Sequence, residues 1–296
     1  KVLYGGVGKD LINTSESGSL VYAGDGKDTV SGEDGNDYVY GESGNDSIFG
    51  GIGDDSIKGG ADNDWLAGGL GDDSIEAGTG DDTVYWDHGA DSQDGGDGID
   101  TIHGNGIDAG APVFDLSAGT YSNGTFTEVW ANFENFVNDG PGDETVIGTP
   151  GGNVIETGAG DNSLFAGAGD DTLGAGAGSD QLFGGGGDDL LLAGDADFAD
   201  GDLFDAGAGT DTISYELLDW GTPATVVRLN LLTGAAFFDG DTESLVGFEN
   251  AVGSLGDEVI NGSGGDNSLS GLSGDDILRG KGGDDELYGG DGDDIL

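Results

Sequence analysis

The chain has 296 residues, and its 60 acids against 7 bases give a formal charge of -53. Such acidity excludes nucleic acid as a partner, because phosphates need Lys and Arg, and it disfavours anionic membrane surfaces; no apolar run is long enough to insert into a bilayer. Sixty-six residues are glycine and none is cysteine, so the fold is entropically costly to order and no disulfide can staple it.

From Gly5 to His103 the sequence reads as eleven consecutive nonapeptides in one register. Position 6 is Asp10, Asp28, Asp37, Asp46, Asp55, Asp64, Asp73, Asp82, Asp91 and Asp100, with Ser19 the one departure. Position 8 is aliphatic in every turn but one, where it is Gln93. The phase is lost over 104–138 and resumes over 139–214, in eight turns, one of them stretched by four residues around Asp195–Asp200. There position 6 holds Glu144, Asn153, Asn162, Asp171, Asp180, Asp189, Asp202 and Asp211. A second interruption, 215–252, precedes five final turns over 253–296, with Glu258, Asn267, Asp276, Asp285 and Asp294 at position 6. The expected organisation is therefore three repeat blocks, the first covering 1–103, separated by two interruptions.

One apolar position between two polar ones places a single side chain inward, as strand alternation requires. Each nonapeptide is then a short strand plus a tight loop, stable only when stacked on the strands two repeats before and after it. Glycine lets that loop turn through positive φ and approach an ion closely. A GGxGxDxUx period is a known signature of calcium-binding parallel β-helices, and its chemistry fits. Calcium takes six to eight oxygens from carboxylates and backbone carbonyls, and stacking brings position 6 acids 18 residues apart to about one strand spacing, ~4.8 Å. An isolated GxGxD is ordinarily a solvated turn; in-phase repetition is what gives it meaning. The expected fold is an all-β parallel roll holding at most about 18 calcium ions on the eighteen aspartates named above, disordered without calcium.

The interruptions resemble one another. Each follows an Asp-Thr-Ile (Asp100–Ile102, Asp211–Ile213), contains an alternating run (from Val113 and from Val226), and closes on Phe-Glu-Asn (Phe133–Asn135, Phe248–Asn250). Both read as β-rich elements of wider turns or excursions packed on the roll. Their aromatics (Phe114, Trp130, Phe133, Phe136; Trp220, Phe237, Phe238, Phe248) suit small local cores better than a carbohydrate or cell-surface binding face. The Asp-rich stretch from Ala193 to Asp202 reads as a misspaced ion loop or a flexible acidic bulge. At position 9, Tyr22 with Tyr40 and Phe165 with Phe183 lie 18 residues apart, which predicts stacked pairs on an outer face.

Catalytic constellations are missing from the sequence. His88 and His103 stand outside any HExxH, and there is no GxSxG, no phosphate loop and no cysteine nucleophile. Paired acids imply acid–base chemistry only where their environments differ, and here the period already accounts for them. The chain is expected not to be an enzyme.

The nonapeptides GGIGDDSIK (50–58), GGLGDDSIE (68–76) and GLSGDDILR (271–279), with the passage FENAVGSLGDEVING from Phe248, closely resemble the RTX, or hemolysin-type, calcium-binding repeats of proteins exported by type I secretion. The resemblance implies a parallel β-roll with two repeats per turn and calcium held between repeat n and n+2 by loop carbonyls and position 6 aspartates. Ser19, Asn153, Asn162, Asn267, Glu144, Glu258 and Gln93 depart from the pattern and would mark weak or empty sites. By this likeness the chain is a secreted or cell-surface module that folds on extracellular calcium. Alternatives are a structural protein that assembles end to end, or the non-catalytic part of a secreted enzyme, toxin or adhesin. Both termini cut through repeats, which reads as a fragment and predicts end-to-end self-association.

Overall fold

A strand three to six residues long cannot stand alone, and in the repeats of this chain each finds its partner one turn of the roll away. The structure, a computed structural model, describes residues 1–14, 17–87, 89–104, 111–122, 127–193, 201–216, 227–238 and 241–296. Among these there is no helix, and the chain divides into two compact units, Lys1–Gly140 and Pro141–Leu296. Each is a parallel β-solenoid.

In the first unit odd and even repeats form opposite faces. One face stacks Val2–Val7, Leu20–Asp25, Tyr38–Ser43, Ser56–Ala61, Ser74–Thr79 and Ser92–Asp97, all parallel and in an 18-residue register. The other stacks Leu11–Asn13, Thr29–Ser31, Ser47–Ile52, Trp65–Leu70, Thr83–Tyr85 and Thr101–Gly104. Position 8 side chains point inward and form two columns, Val21-Val39-Ile57-Ile75 and Val30-Ile48-Leu66-Val84-Ile102, all essentially without solvent exposure. Gln93 occupies the same column, buried between Ile75 and Trp130.

The loops depend on two left-handed residues, at positions 2 and 4. Gly51 and Gly53 have φ of 122° and 138°, and a Cβ on either would collide with the backbone of Glu33 or Gly35 one turn below. At Glu33, Glu42, Asp62, Leu272 and Lys281 a non-glycine residue at position 2 or 4 still takes positive φ, at a cost that the stacked neighbours must offset; Asp87, Thr149, Ser254 and Ser263, at position 2, do not.

The first interruption makes Val113–Asp115 and Thr120–Ser122, antiparallel to each other, then Thr127–Ala131, which runs antiparallel to the second strand and parallel to Ser92–Asp97. Asn135–Asn138 then pairs in parallel with Thr101–Gly104, so residues 127–138 form a complete turn of the roll. The excursion is thus inserted into the sheet as an element of a wider turn, one of the two arrangements the sequence pattern allows, and not laid on the roll's surface. Trp86, Phe114, Tyr121, Trp130, Phe133 and Phe136 are buried together at this point.

The second unit follows the same plan. One face runs through Thr145–Ile147, Ser163–Ala168, Gln181–Gly186, Leu203–Ala208 and Asp241–Val246. The other runs through Val154–Thr157, Thr172–Gly174, Leu190–Leu192, Thr212–Ser214, Asn250–Val252, Ser268–Ser273 and Glu286–Asp291. The four extra residues before Asp202 do not disturb the register, since Leu182 stacks on Phe204 as Leu164 does on Leu182. The second excursion inserts Ala235–Phe238 and Arg228–Asn230 between Asp241–Val246 and Val259–Asn261.

Candidate metal centre

The position 6 carboxylates form two ladders. The Oδ1 atom of each accepts the backbone N–H of position 6 one turn earlier: Asp28 N–H to Asp46 (2.8 Å), Asp37 to Asp55 (2.7 Å), Asp46 to Asp64 (2.8 Å), Asp55 to Asp73 (2.7 Å) and Asp64 to Asp82 (2.7 Å). In the second unit Asp171 donates to Asp189 and Asp189 to Asp211, both at 2.8–2.9 Å. Fourteen of the eighteen candidate aspartates are buried; Asp10, Asp202, Asp285 and Asp294 are half-buried. Of these four, Asp202, Asp285 and Asp294 accept the same ladder bond, from Asp180, Asn267 and Asp276.

That bond occupies one oxygen. The second, Oδ2, is buried and meets no hydrogen-bond donor at Asp28, Asp37, Asp46, Asp55, Asp64, Asp73, Asp82, Asp100, Asp171, Asp189, Asp211 and Asp276. A buried carboxylate oxygen without a counter-group is costly, and a column of them repels itself. Burial pushes Asp64 and Asp73 up to about 7 and Asp46, Asp55, Asp100, Asp171 and Asp189 up to about 6, with neighbouring carboxylates adding to the rise.

Position 1 glycine keeps space open beside these oxygens. A Cβ on Gly50 would fall against Asp55 Oδ2 and the carbonyl oxygen of Gly68, and on Gly59 against Asp64 Oδ2 and the carbonyl of Ala77. At Gly184 it would meet Asp189 Oδ2 and the carbonyl of Ala206. Each cradle is bounded by a carboxylate oxygen and a main-chain carbonyl from the next turn, an all-oxygen set suited to a hard divalent cation and unsuited to zinc or copper.

Asparagine at position 6 fills this space itself. Asn162 Oδ1 accepts from Glu144 N–H at 2.9 Å, while its Nδ2 donates to the carbonyls of Gly160 (3.0 Å) and Ala175 (3.1 Å). Asn267 Nδ2 likewise donates to the Glu249 carbonyl at 2.6 Å. The amide hydrogens engage main-chain carbonyls where an aspartate would present a bare oxygen.

Three acids outside position 6 stand in or beside these ladders. Glu134 and Glu249, in the two Phe-Glu-Asn motifs, accept the N–H of Asp100 (2.9 Å) and Asp211 (3.0 Å), which is the position 6 role. The duplication of the motif was the available signal. Asp87 stands at position 2 of a degenerate turn, and its carboxylate lies with those of Asp73 and Asp91, one ligand oxygen of each within 4.8 Å of the others. Burial pushes it up to about 8.

The aromatic expectations divide. Tyr22 stacks on Tyr40 at 5.0 Å, with Tyr4 extending the column, and Phe165 stacks on Phe183 at 4.9 Å. Phe114, Trp130, Phe133, Phe136 and Phe248 are buried core and offer no binding face, whereas Phe237 is exposed. His103 stacks on Tyr85 at 4.5 Å. His88, Trp220, most of the Asp-rich stretch (194–200) and the side chain of Phe238 lie outside the described residues.

Glycine turns stacked in register, each presenting a buried carboxylate oxygen beside a carbonyl, define a β-solenoid of calcium-binding repeats. The family comparison agrees: the RTX calcium-binding nonapeptide repeat matches residues 22–57, 49–84, 58–92, 139–173, 169–197, 252–287 and 270–296. These matches cover more than half of the chain, which belongs to this family. A search of curated proteins found none that matches it.

Proposed function

We propose that the chain is a calcium-driven folding module of a secreted or cell-surface protein, and that the position 6 aspartates, with position 1 and loop carbonyls, hold its ions. The observation that carries this reading is the column of buried, unanswered Oδ2 atoms. Burial, the neighbouring carboxylates and the -53 charge act in one direction, which one ladder bond per carboxylate only partly offsets: the roll is destabilised by its own carboxylates until cations bind between turns. Extracellular calcium sites work at about 10⁻⁴ to 10⁻³ M. A chain with such sites stays unfolded where calcium is scarce, as export requires, and folds where it is abundant. The solenoid then acts as a spacer without chemistry of its own.

Circular dichroism and radius of gyration in excess chelator, followed by a calcium titration, test this. The expected course is an expanded coil converting cooperatively to β structure near millimolar calcium. A compact β-rich protein persisting in chelator would sink the proposal.

A further inference from the structure

The turn from Trp86 to Asp94 departs from its neighbours in a way that builds something new. Position 1, elsewhere almost always small, is Trp86, drawn into the aromatic core beneath the first excursion. Position 2, left-handed at Gly51, Gly69 and Gly78, is Asp87, which does not take positive φ. Its side chain is therefore directed into the loop stack, unlike the exposed Glu33 and Glu42 at the same position. Asp87 Oδ2 accepts the N–H of Gly69, one turn below, at 2.6 Å.

Asp87 Oδ1 is left buried without a donor, as are Oδ2 of Asp73 and Oδ2 of Asp91. Asp73 and Asp91 are only 3% and 4% exposed, so two nine-tenths-buried carboxylates aim unanswered oxygens at the place the third one enters. This is the one group of three or more potential metal-binding side chains that converges in this way among the described residues. An ordinary turn offers the carboxylates of position 6 alone.

We infer that Asp73, Asp87 and Asp91 form a three-carboxylate calcium site, tighter than the other sites of the roll and the first to fill. The inference rests on the calcium reading above. Charge count is one of the two variables that set the affinity of an oxygen-ligand calcium site, and Asp87 supplies charge that turns with position 6 carboxylates alone lack. The site lies where the repeats of the first unit meet its excursion, so early filling fixes the turn on which the aromatic cluster is built.

Calcium titration calorimetry of the whole chain, wild type against Asp87→Asn and Glu42→Gln, tests it. Asp87→Asn keeps an acceptor for Gly69 N–H, removes the charge and replaces the Oδ1 ligand by an amide nitrogen that cannot ligate. The expected result is a tightest class of about one ion that weakens roughly tenfold or more in Asp87→Asn, with the weaker classes and Glu42→Gln unchanged. Stopped-flow release into a chelator gives a second readout, in which the slowest phase of the wild type disappears in Asp87→Asn. Superimposable isotherms and release traces for wild type and Asp87→Asn overturn the inference while leaving the calcium reading intact. Absence of calcium binding by the wild type overturns both.

Discussion

Asp54 and Asp55 are adjacent in the chain, yet their carboxylates reach in opposite directions along the roll. Asp55 Oδ1 reaches back to the N–H of Asp37 at 2.7 Å, buried, while Asp54 Oδ1 reaches forward to the N–H of Asp72 at 3.1 Å, exposed. Only Asp55 has a second oxygen sealed away without a donor. The two substitutions therefore separate ligation from hydrogen bonding. Asp55→Ala is expected to lower stability by about 2.7 kcal/mol at calcium a hundredfold above the site constant, the linkage energy of one lost ion. Asp54→Ala is expected to cost about 0.5–1 kcal/mol, the net worth of one exposed bond. Urea unfolding midpoints in saturating calcium decide it, and equal shifts would remove Asp55 from the ligand set.

The raised carboxylates fix the sign of the pH dependence. With no ion bound, Asp64, Asp73 and Glu258 are pushed up to about 7, chiefly by burial. The folded state then prefers the protonated form more than the unfolded chain does. Its stabilising contribution is present in full below about pH 4 and is lost as pH rises through about 7. In chelator, acidification from neutral pH should increase β structure. Calcium needs the same groups deprotonated, so its midpoint should move to higher concentration as pH falls, by roughly tenfold per pH unit for each group below its own pKa. A calcium midpoint that does not move between pH 7.5 and 5.5 would contradict the carboxylate assignment.

Gly185 and Gly186 offer a test of the turn geometry. Gly185 has φ of 112° and a Cβ there would press into the Gly167 carbonyl, whereas a Cβ on Gly186 meets nothing nearer than the Ala208 oxygen at 3.9 Å. Gly185→Ala is expected to destabilise by about 1–3 kcal/mol or more. Gly186→Ala should be neutral or stabilise by up to about 1 kcal/mol through the unfolded chain. Thermal unfolding in calcium reads both, and the pair must diverge.

Replacing Asn162 by Asp should create an ion site. The substitution keeps the Oδ1 acceptor for Glu144 N–H and removes the Nδ2 donor that ties up the Gly160 and Ala175 carbonyls. Equilibrium dialysis is expected to count about one more calcium per chain than the wild type binds, together with lower stability in chelator. An unchanged count would mean that the carbonyls at this turn are not ligand-competent.

Much of the roll was legible because its rule is local. An inward aliphatic every ninth residue, as at Ile48 and Ile57, and an acid two residues before it, as at Asp46 and Asp55, leave one arrangement that satisfies both, and the structure adopts it. The Tyr22–Tyr40 stack followed from the same 18-residue spacing. What escaped was set by contacts distant in sequence. Glu134 and Glu249 perform the position 6 role from outside the period, because the excursions re-enter both sheets before the nonapeptide pattern returns. Asp87 is turned inward beside Trp86, whose packing on Phe114 and Tyr121 spans a long stretch of sequence. The position 5 acids, though exposed, also carry a ladder of their own, Asp54 accepting from Asp72 and Asp170 from Asp188.

Near-identical turns leave a roll with a problem of phase. Sliding one half past the other by a whole turn returns aliphatic side chains to aliphatic column and aspartate to aspartate, so the packing of the repeats barely distinguishes the slipped form from the native one. The excursions break this degeneracy. Trp86 Nε1 donates to Glu128 at 2.7 Å in the first unit, and Tyr215 donates to Glu243 at 2.6 Å in the second, all four residues buried. A slip would part each ring from its acid and strand a carboxylate indoors, at about 1–3 kcal/mol or more apiece. The interruptions thus act as alignment keys, one per unit, by which a nearly periodic chain selects a single setting of its own thread.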